Sequence, residues 1–520
     1  MSLSGRHPDD DQYIVLDPFK YMAQVGDPDK PQAVFDASMA RAYLRLARDV
    51  STTASIASNQ NARRYHRGYD AALVAALVRA GHSPEEDPTG SWVMNYSSLV
   101  LHRTDGNLVA ARGFSRYLVG NEAYAGQNAF GRYLNYGHLE ILPRDPTLRG
   151  YRQAGWDWNR WPGTTTIHLP LDDLRARLSQ VDQSAGVEEM LLSDEAFSGG
   201  LHLRQASAMF AMKLHAHPKY PGGLRARKSV FFFGNRVIAL GSAIESEDPD
   251  HAVETTLFQD YLRDAGLAND VSGENVVGRS FSLARSAGAE EYVVDLNGNG
   301  FYLPAGQRLV FTRQVQKSLE QDGTTPSTGA FSTLVIDHGE MPRGASYEYA
   351  VLIGSGARGA HEFARAMKAT ASAPYRVLEK TDSAHVVFDR QTNTTSYVLF
   401  DAGAVLASGS LREVSRPSMV MLREHDGVLE AAYVDPDLAL YEGRDDSQYD
   451  AMGRQVEVSV YSRPWRNAIA ADRVSYLRLA GRWQATPTDA CRVTAHGANE
   501  TVVEVTSRPG SLYGDRKSVV

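Results

Sequence analysis

Half of the chain's six tryptophans lie in one short segment, where polar side chains alternate with them. The segment from Gly155 to Pro170 reads G-W-D-W-N-R-W-P-G-T-T-T-I-H-L-P. Sugars present flat C–H faces and many hydroxyls, so aromatic rings beside amide and guanidinium groups are typical of a carbohydrate site. A structural corner, in which the tryptophans pack and the polar groups fix a loop, explains the same residues equally well. The side chains that the carbohydrate hypothesis places on a sugar are Trp156, Trp158, Asn159 and Arg160.

The residues just before this segment carry a local excess of positive charge. Residues 103–160 contain eight arginines, no lysine and five acidic side chains, within a chain whose net charge is −8. A guanidinium group binds a carboxylate or sulfate through two parallel hydrogen bonds, which an ammonium group cannot do. The stretch therefore indicates an anionic ligand, although ordinary surface ion pairs would produce the same excess. The candidate binding residues in it are Arg116, Asn121, Tyr124, Asn128, Arg132 and Tyr133.

Composition excludes several classes of protein. With 43% hydrophobic and 22% charged residues, the 520-residue chain has the balance of a soluble globular protein. Cys491 is the single cysteine, so an intrachain disulfide and a multi-cysteine metal site are both excluded. No run approaches the roughly 20 apolar residues that a membrane-spanning helix needs. The acidic net charge argues against general nucleic-acid binding, which requires a basic face, so we expect neither nucleic acid nor membrane as a partner.

The elements that must position these residues are mostly β-strands. Helical patterns occur only over 30–48, over 69–80 and near 359–368. The other runs are short and β-rich, and Asp105-Gly106-Asn107 is typical of a hairpin turn. We predict a multidomain, predominantly antiparallel β protein with β-sandwich domains: a helical segment at 1–89, a central sandwich at 90–365 and a C-terminal sandwich at 366–520. The predicted strands are Ser98–Arg103, Leu108–Arg112, Lys228–Phe233, Arg236–Leu240, Glu291–Asp295, Leu309–Thr312, Ser346–Ile353, Tyr375–Glu379, Ala384–Asp389, Ser396–Phe400, Val456–Tyr461 and Thr501–Thr506.

One glycine-rich segment raises a different hypothesis. Gly354 to Gly359 fit the pattern G-x-G-x-x-G between a predicted strand and a predicted helix, and Glu379 follows 20 residues later. This layout is that of a dinucleotide-binding βαβ unit, which would bind NAD(P). The strands that follow lack the helices that a parallel sheet needs, so we favour an ordinary strand-to-helix loop.

Several segments together resemble polysaccharide lyase family 8, and within it most closely the chondroitin sulfate ABC lyases. The Trp156–Pro170 segment is specific, and the other segments follow in the family's order. The resemblance implies an α/α toroid, then a large antiparallel β-sandwich domain, then a smaller β domain. Residues 1–89 would then be the α-helical remnant of an incomplete toroid. The other resembling segments are Ser4–Pro8, Asn128–Tyr133, Val253–Gln259, Asp295–Gly300 and Ala345–Tyr349.

The resemblance implies a lyase that cleaves uronic-acid-containing glycosaminoglycans (chondroitin and dermatan sulfate, with hyaluronan a further candidate) by β-elimination. A base removes the uronate C5 proton, an acid protonates the oxygen that leaves C4, and the neighbouring carboxylate must be neutralised. By resemblance, Arg6 in Ser-Gly-Arg-His-Pro holds the catalytic tyrosine in a reactive state and stabilises charge. Glu122 in Gly-Asn-Glu-Ala-Tyr orients the other catalytic groups. His7, beside Arg6, is a candidate substrate contact.

The family's catalytic histidine and tyrosine lie in a toroid segment of the type R-H-E-G-N-Y-P-G-Y, before the Ser-Gly-Arg-His motif. This chain starts five residues before Arg6, so we expect that segment to be missing here and to be supplied upstream or by another chain. Residues 63–69 (R-R-Y-H-R-G-Y) contain both residue types at a different spacing, and we do not expect them to replace it. A non-catalytic module that binds glycosaminoglycans is the alternative function.

Two further expectations concern location and cofactors. Family members are exported, so the resemblance implies a secreted or periplasmic location, although the first residues lack the apolar core of a signal peptide. No cofactor is expected, and no ligand spacing demands a metal. A structural or activating divalent cation is compatible with the sequence.

Overall fold

The computed structural model describes residues 19–20, 22–23, 36–52, 70–181, 187–286, 288, 290–369, 371–484 and 490–510. The chain divides after Pro88 into two units, one that ends there and one that begins at Thr89. Each unit has its own hydrophobic core among the described residues.

The described part of the first unit is helical. Asp36 and Asp70 each accept a hydrogen bond from a backbone amide at the start of a helix, at 2.8 and 3.0 Å. Such carboxylates satisfy amides that have no partner within the helix. Tyr43 and Leu77, one from each helix, are buried in a common apolar cluster. Both early helical patterns are confirmed, as α1 (Ala37–Thr52) and α2 (Ala71–Arg79).

The second unit consists mainly of strands, joined in antiparallel pairs. Among the described residues of this unit, two helices, α3 (Leu171–Leu174) and α4 (Gly356–Met367), lie between the strands. Short 3-10 turns occur at Asn95–Ser97, Gly131–Tyr133, Pro146–Leu148, Asp446–Gln448 and Val460–Ser462. The strands are β1 (Gly90–Met94), β2 (Leu99–Thr104), β3 (Asn107–Arg112), β4 (Glu122–Tyr124), β5 (His138–Leu142), β6 (Thr165–Ile167), β7 (Ser179–Gln180), β8 (Val187–Met190), β9 (Ser198–Leu203), β10 (Ser207–His215), β11 (Arg225–Phe233), β12 (Arg236–Glu245), β13 (Ala252–Tyr261), β14 (Asn269–Val271), β15 (Glu274–Val276), β16 (Ser280–Ser286), β17 (Glu291–Val294), β18 (Gly300–Leu303), β19 (Arg308–Leu319), β20 (Pro326–Glu340), β21 (Ala345–Leu352), β22 (Tyr375–Lys380), β23 (Ala384–Asp389), β24 (Thr394–Leu399), β25 (Leu411–Val414), β26 (Ser418–His425), β27 (Val428–Val434), β28 (Arg473–Ala480), β29 (Cys491–His496) and β30 (Glu500–Ser507).

A nine-stranded sheet, ordered β15-β14-β17-β18-β21-β12-β11-β10-β9, is buried on both faces. Along β11, Val230 and Phe232 lie in the core that also contains residues of the five-stranded sheet β16-β19-β20-β13-β6. Phe231 and Phe233 lie in the core on the opposite face, with residues of the sheet β22-β23-β24-β26-β27. Successive side chains of a strand point to opposite faces, so double burial requires the continuous apolar run that β11 carries.

The C-terminal sheets extend this layering. The second face of the sheet β22-β23-β24-β26-β27 packs against the sheet β25-β28-β30-β29, with Tyr397 and Leu399 on one side and Leu477 and Val503 on the other. Two smaller sheets, β1-β2-β3-β5 and β4-β8-β7, complete the unit among the described residues. The predicted fold class, predominantly antiparallel β with an N-terminal helical segment, is confirmed.

The predicted hairpin is present, because Asp105 and Gly106 join β2 to β3 with φ angles of 50° and 80°. The strand predicted at Val456–Tyr461 is wrong. Only a 3-10 turn occurs there, and Ser459 caps it by accepting a hydrogen bond from the Tyr461 nitrogen at 3.2 Å. The apolar alternation arises because Val458 and Val460 pack beside the cluster of Trp465, not because a strand pairs there.

The glycine-rich segment Gly354–Gly359 joins β21 to α4, as its pattern predicted, but it does not belong to a βαβ unit. β21 pairs antiparallel with both β12 and β18, and the strand after α4, β22, lies in another sheet. A dinucleotide site of this kind requires neighbouring parallel strands in one sheet. The geometry therefore contradicts the NAD(P)-binding hypothesis.

Gly155 lies so close to the backbone of another strand that a side chain would not fit there. Its φ is +79°, and a Cβ there would lie 2.6 Å from the Cα of Gly329 on β20. Gly427 has a similar φ of +76° with nothing within 4 Å of a built Cβ. We expect Gly155→Ala to lower the free energy of unfolding by about 1–3 kcal/mol more than Gly427→Ala, because only the first adds an overlap to the backbone strain. Urea unfolding of both variants measures the difference, and equal losses would contradict the close approach.

Candidate active site

Glu122 lies on a short strand of the small sheet β4-β8-β7. The pairing of β4 with β8 places Glu122 opposite Met190 and Tyr124 opposite Glu188. Glu122 is buried, and its Oε1 accepts a hydrogen bond from the Tyr124 hydroxyl at 2.6 Å. Burial, and then this hydrogen bond and the charge of Glu122, raise the pKa of Tyr124. Tyr124 therefore keeps its proton at neutral pH and orients the carboxylate as a hydrogen-bond donor.

The loop after β4 is fixed to the same strand. Asn128 has a left-handed φ of 54°, and its Nδ2 donates a hydrogen bond to the carbonyl oxygen of Glu122 at 2.7 Å. The carboxamide of Asn128 fills the space where a Cβ of residue 131 would lie. Any residue larger than glycine at position 131 would therefore force Asn128 to move. The structure thus brings Glu122, Tyr124 and Asn128 together.

Asn121, the residue before β4, contacts a second buried carboxylate. Its Nδ2 donates to Glu189 Oε1 at 3.0 Å, and Glu189 has no solvent exposure. The Tyr220 hydroxyl also donates to Glu189, and Lys219 Nζ lies 2.9 Å from its Oε2. A buried carboxylate needs both a positive partner and hydrogen-bond donors, and Glu189 has both. The Asn121 side-chain amide therefore binds a carboxylate of the protein and not a ligand.

Lys219 also binds a carboxylate from far along the chain. Glu457, 238 residues later, forms an ion pair with Lys219. Glu457 also accepts hydrogen bonds from the Met190 nitrogen at 2.9 Å and from the Ser179 hydroxyl at 3.1 Å. These contacts fix a C-terminal segment to the sheet that carries Glu122. No short-range pattern in the sequence indicates this cluster, because its members, Glu189, Lys219 and Glu457, lie far apart along the chain.

Arg132 and Tyr133, two predicted ligand contacts, lie inside the protein. Arg132 donates hydrogen bonds to the carbonyl oxygens of Asp173 and Leu174 at 2.7 and 2.8 Å. Its guanidinium carbon lies 3.2 Å from the centre of the Tyr220 ring. Tyr133 belongs to the main core, where burial raises its pKa to about 12. Their burial does not fit direct contact with a ligand, and Arg132 instead holds the C-terminal end of α3 against Tyr220.

Arg116 is the predicted arginine whose position best fits a ligand contact. It is partly exposed, in contrast to Arg132. Its guanidinium donates to the Gly443 carbonyl oxygen at 2.8 Å and lies 5.0 Å from the centre of the Tyr117 ring. These neutral partners leave its positive charge uncompensated by any ion pair that the structure records for this side chain, so it can attract an anion.

The tryptophans of the aromatic segment belong to the hydrophobic core and do not form an exposed surface for a sugar ring. Trp156 and Trp158 are 1% and 2% exposed. Trp158 donates from Nε1 to the Leu319 carbonyl oxygen at 2.8 Å, and Trp156 packs edge-on against Phe331 with ring centres 5.6 Å apart. A sugar ring has no access to these indole faces, so the structure favours the structural-corner interpretation.

Asn159 and Arg160 belong to the same corner. The Asn159 carboxamide makes two hydrogen bonds with the backbone of Leu169, at 2.8 and 3.0 Å. Arg160 donates to both carboxylate oxygens of Glu254, at 2.8 and 2.9 Å. Its guanidinium is therefore paired with a protein carboxylate, which corrects the expectation that it binds an anionic ligand.

Asp157 and His168 close this corner with a hydrogen bond of 2.9 Å between Oδ2 and Nε2. Burial favours the protonated carboxyl, but the hydrogen bond from His168 and the charge of Arg160 outweigh it and lower the pKa of Asp157 to about 2. Burial likewise disfavours the imidazolium, but the hydrogen bond and charge of Asp157 outweigh it and raise the pKa of His168. Both effects stabilise the charged pair.

Arg6 and His7 lie outside the described residues, as does the 63–69 segment. Among the residues that the structure describes, no group of three or more His, Cys, Asp or Glu side chains is arranged to hold a metal ion. None of the described helices is long and apolar enough to cross a membrane.

Comparison with known proteins identifies the family. The family model for the polysaccharide lyase family 8 super-sandwich domain matches residues 89–364, more than half of the chain. The chain belongs to polysaccharide lyase family 8. The model for the C-terminal beta-sandwich domain of family 8 matches residues 376–440, and a model described as "Lyase, catalytic" matches residues 1–53.

Curated family-8 relatives align with nearly the whole chain. The chain is 40% identical over 493 residues to a chondroitin sulfate ABC exolyase of Proteus vulgaris, which covers 93% of this chain and 45% of the relative. It is 37% identical to a chondroitin sulfate ABC exolyase of Bacteroides thetaiotaomicron, over 99% of this chain and 49% of the relative. The chain thus spans about half the length of these two relatives.

Solved structures show the family-8 fold at low sequence identity. A Paenibacillus xanthan lyase matches with a TM-score of 0.71 at 18% identity, over 98% of this chain and 46% of the xanthan lyase. A Streptomyces coelicolor chondroitin AC lyase, solved in complex with chondroitin sulphate, matches with a TM-score of 0.63 at 18% identity, over 94% of this chain and 60% of the lyase. The architecture described above is therefore that of known lyases.

The Asp157–His168 pair makes a pH-dependent contribution to stability. The lowered pKa of Asp157 stabilises the fold above its ordinary value of 3.8, and that contribution is lost as the pH falls towards 2. The raised pKa of His168 stabilises the fold below its ordinary value of 6.5, and that contribution is lost as the pH rises through the raised value. We therefore expect His168→Gln to lower the free energy of unfolding more at about pH 5.5 than at about pH 8.5.

Urea unfolding at both pH values measures this difference. His496→Gln, at an exposed position on β29, is the matched control and should show no such difference. A loss for His168→Gln that is the same at both pH values would contradict the charged pair.

Proposed function

We propose that this chain is part of a polysaccharide lyase that cleaves uronic-acid-containing glycosaminoglycans by β-elimination. The observation that carries the proposal is the 40% and 37% identity to two chondroitin sulfate ABC exolyases, along almost the whole chain. Chondroitin sulfate and dermatan sulfate are the proposed substrates. Hyaluronan is a further candidate, because a hyaluronate lyase of Thermasporomyces composti is 26% identical over 330 residues.

In the proposed reaction a base removes the proton from C5 of the uronate, and the electron pair of that C–H bond forms a double bond to C4. The C4–O bond breaks, and an acid delivers a proton to the leaving oxygen. Negative charge accumulates on the uronate carboxylate, so a cationic or hydrogen-bonding group must stabilise it. By family resemblance Arg6 holds the catalytic tyrosine in a reactive state and stabilises charge, and His7 beside it is a substrate contact. In the family the catalytic histidine and tyrosine belong to a toroid segment.

Within the described residues, Glu122 is the group best placed to orient catalytic partners. It is buried, which strengthens its interactions with neighbouring charges, and Tyr124 holds one of its oxygens at 2.6 Å. Glu122 is therefore proposed as a positioning residue, with Asn128 fixing its backbone.

The proposed orienting role predicts the effect of removing the charge from Glu122. In a protein that contains this chain and forms unsaturated product from chondroitin sulfate, we expect Glu122→Gln to lower kcat at least about tenfold, with a smaller change in KM. The ultraviolet absorbance of the unsaturated uronate follows the reaction. Glu274→Gln, an exposed acid on β15, is the matched control and should leave kcat unchanged. An unchanged kcat for Glu122→Gln would contradict the role.

A non-catalytic glycosaminoglycan-binding module is the second candidate function, because Arg116 is partly exposed and its recorded partners are neutral groups. Both functions require binding, so this chain should be retained on immobilised chondroitin sulfate and released by salt, which screens charge pairing. Arg116→Gln should elute at lower salt than the parent, whereas Arg358→Gln, exposed on α4, should not. Retention without unsaturated product, even with the toroid segment supplied, would favour the binding module, and no retention at low salt would contradict both.

We further propose a secreted or periplasmic location for the protein that contains this chain, since its polysaccharide substrates lie outside the cell. Fractionation of the source cells tests this proposal, and recovery only in the cytoplasm would contradict it.

A further inference from the structure

Two chain segments run side by side next to the strand of Glu122, and both continue into the small sheet β4-β8-β7. Residues 115–120 lead towards β4, and residues 191–195 follow β8. The Gly120 nitrogen donates a hydrogen bond to the Leu191 carbonyl oxygen at 2.7 Å. The position of Glu122 therefore depends on what holds this pair of segments in place.

A segment from the C-terminal part of the chain, residues 441–457, contacts both of them, and we refer to it as the crossing segment. Near its start, the Gly443 carbonyl oxygen accepts a hydrogen bond from the Arg116 guanidinium at 2.8 Å. Near its end, the Gln455 side-chain amide donates to the Leu192 carbonyl oxygen at 3.2 Å. The crossing segment is thus joined to each of the two segments that lie beside the strand of Glu122.

Glu457, the last residue of the crossing segment, binds the small sheet at the position opposite Glu122. Its Oε1 accepts a hydrogen bond from the Met190 nitrogen at 2.9 Å, and Met190 is the register partner of Glu122 in the pairing of β4 with β8. Residues that are directly opposite in an antiparallel pair have Cα atoms about 4.5–5.5 Å apart. A shift of the Met190 backbone would therefore move Glu122 as well. The Oε2 of Glu457 accepts a second hydrogen bond, from the Ser179 hydroxyl on β7 at 3.1 Å.

A second route from Glu457 to Glu122 runs through side chains. Lys219 forms ion pairs with both Glu457 and Glu189. Asn121, the residue before Glu122, donates a hydrogen bond to Glu189 at 3.0 Å. Glu189 has no solvent exposure and the side chain of Glu457 is 8% exposed, so water and salt screen these charges little. The two routes therefore end on the residue opposite Glu122 and on the residue before it.

We propose that Glu457 is a positioning residue for the β-elimination reaction, because it fixes the strand that presents Glu122. The inference rests on the orienting role proposed for Glu122 and extends that role to the C-terminal part of the chain. Misplacement of a catalytic group by about 1 Å can cost roughly 100-fold in rate. Loss of the Glu457 carboxylate should therefore lower the rate even though Glu457 acts only through other residues.

The first test needs no activity and uses the whole 520-residue chain. Glu457→Gln keeps the size of the side chain but removes its charge. Deuterium uptake, read by mass spectrometry, should rise at least about threefold in peptides that cover β4, because the strand loses a support. Glu424→Gln, an exposed acid on β26, is the matched control and should leave this uptake unchanged. Unchanged uptake for Glu457→Gln would overturn the proposal.

The second test measures kcat in a protein that contains this chain and forms unsaturated product from chondroitin sulfate. Glu457→Gln should lower kcat at least about fivefold with a smaller change in KM, whereas Glu424→Gln should leave kcat unchanged. In a Glu122→Gln background the Glu457 substitution should lower kcat by less than about twofold, because the carboxylate through which it acts is already absent. Equal losses in both backgrounds would indicate a purely structural role and overturn the proposal.

Glu457→Asp is a second variant, in case Glu457→Gln does not fold. It keeps the charge beside Lys219, but its shorter side chain reaches less far towards the Met190 nitrogen. It should therefore show a smaller rise in uptake and a smaller loss of kcat, with circular dichroism confirming the fold, and parent values for both would overturn the proposal.

The kcat of Glu122→Gln separates the two levels of the argument. An unchanged kcat for Glu122→Gln would overturn its orienting role and this inference together. A lowered kcat for Glu122→Gln, beside an unchanged kcat for Glu457→Gln, would overturn this inference alone.

Discussion

The nine-stranded sheet must exclude water from both of its faces, and the arrangement of the other sheets follows from this requirement. Phe232 packs towards the five-stranded sheet, whereas Phe231 and Phe233 pack towards the sheet that begins at β22. An antiparallel sheet with one solvated face would alternate apolar and polar residues along β11. Because both faces are apolar, a further layer is needed on each side, which joins the central and C-terminal parts of the chain into one unit.

The same layering determines how the candidate active site is supported. Glu122 lies on a three-residue strand, which would hold its position poorly without further contacts. The sheet that carries it is fixed by Lys219 between two carboxylates, Glu189 and Glu457. The second of these comes from the C-terminal part of the chain. Glu457 also accepts hydrogen bonds from Met190 and Ser179 of that sheet, so this part of the chain helps to hold the geometry around Glu122.

The tryptophan-rich corner shows that a distinctive sequence need not contact a ligand. Its indole rings are enclosed, its asparagine binds the backbone of Leu169, and its arginine binds Glu254. Close approach at Gly155 brings β20 against the corner and leaves no room for a side chain. Trp156 and Trp161 also line a cavity of about 40 Å³ beside this corner. The residue types of this corner are thus explained by core packing and by hydrogen bonds and ion pairs within the protein.

The sequence by itself determined the fold class, the early helices, most strands and the family. These depend on local patterns: apolar residues at helical spacing in the early helices, Asp-Gly at the β2–β3 hairpin and short β-rich runs in the strands. The same local reasoning failed at Val456–Tyr461, where alternation arose from packing beside Trp465, and at Gly354–Gly359, where the motif lacked a parallel sheet.

Only the tertiary structure decided which polar and aromatic side chains are available to a ligand. Arg132, Arg160 and Trp158 have residue types that suit an anionic sugar, but each is enclosed by partners far away in the sequence. Lys219 and Glu457 carry no local signal, because 238 residues separate them in the sequence. Residue type and spacing fix what a side chain can do chemically. Burial and long-range pairing decide whether that side chain contacts a ligand or another part of the protein. Neither can be read from the sequence, because burial and pairing arise only when distant segments come together.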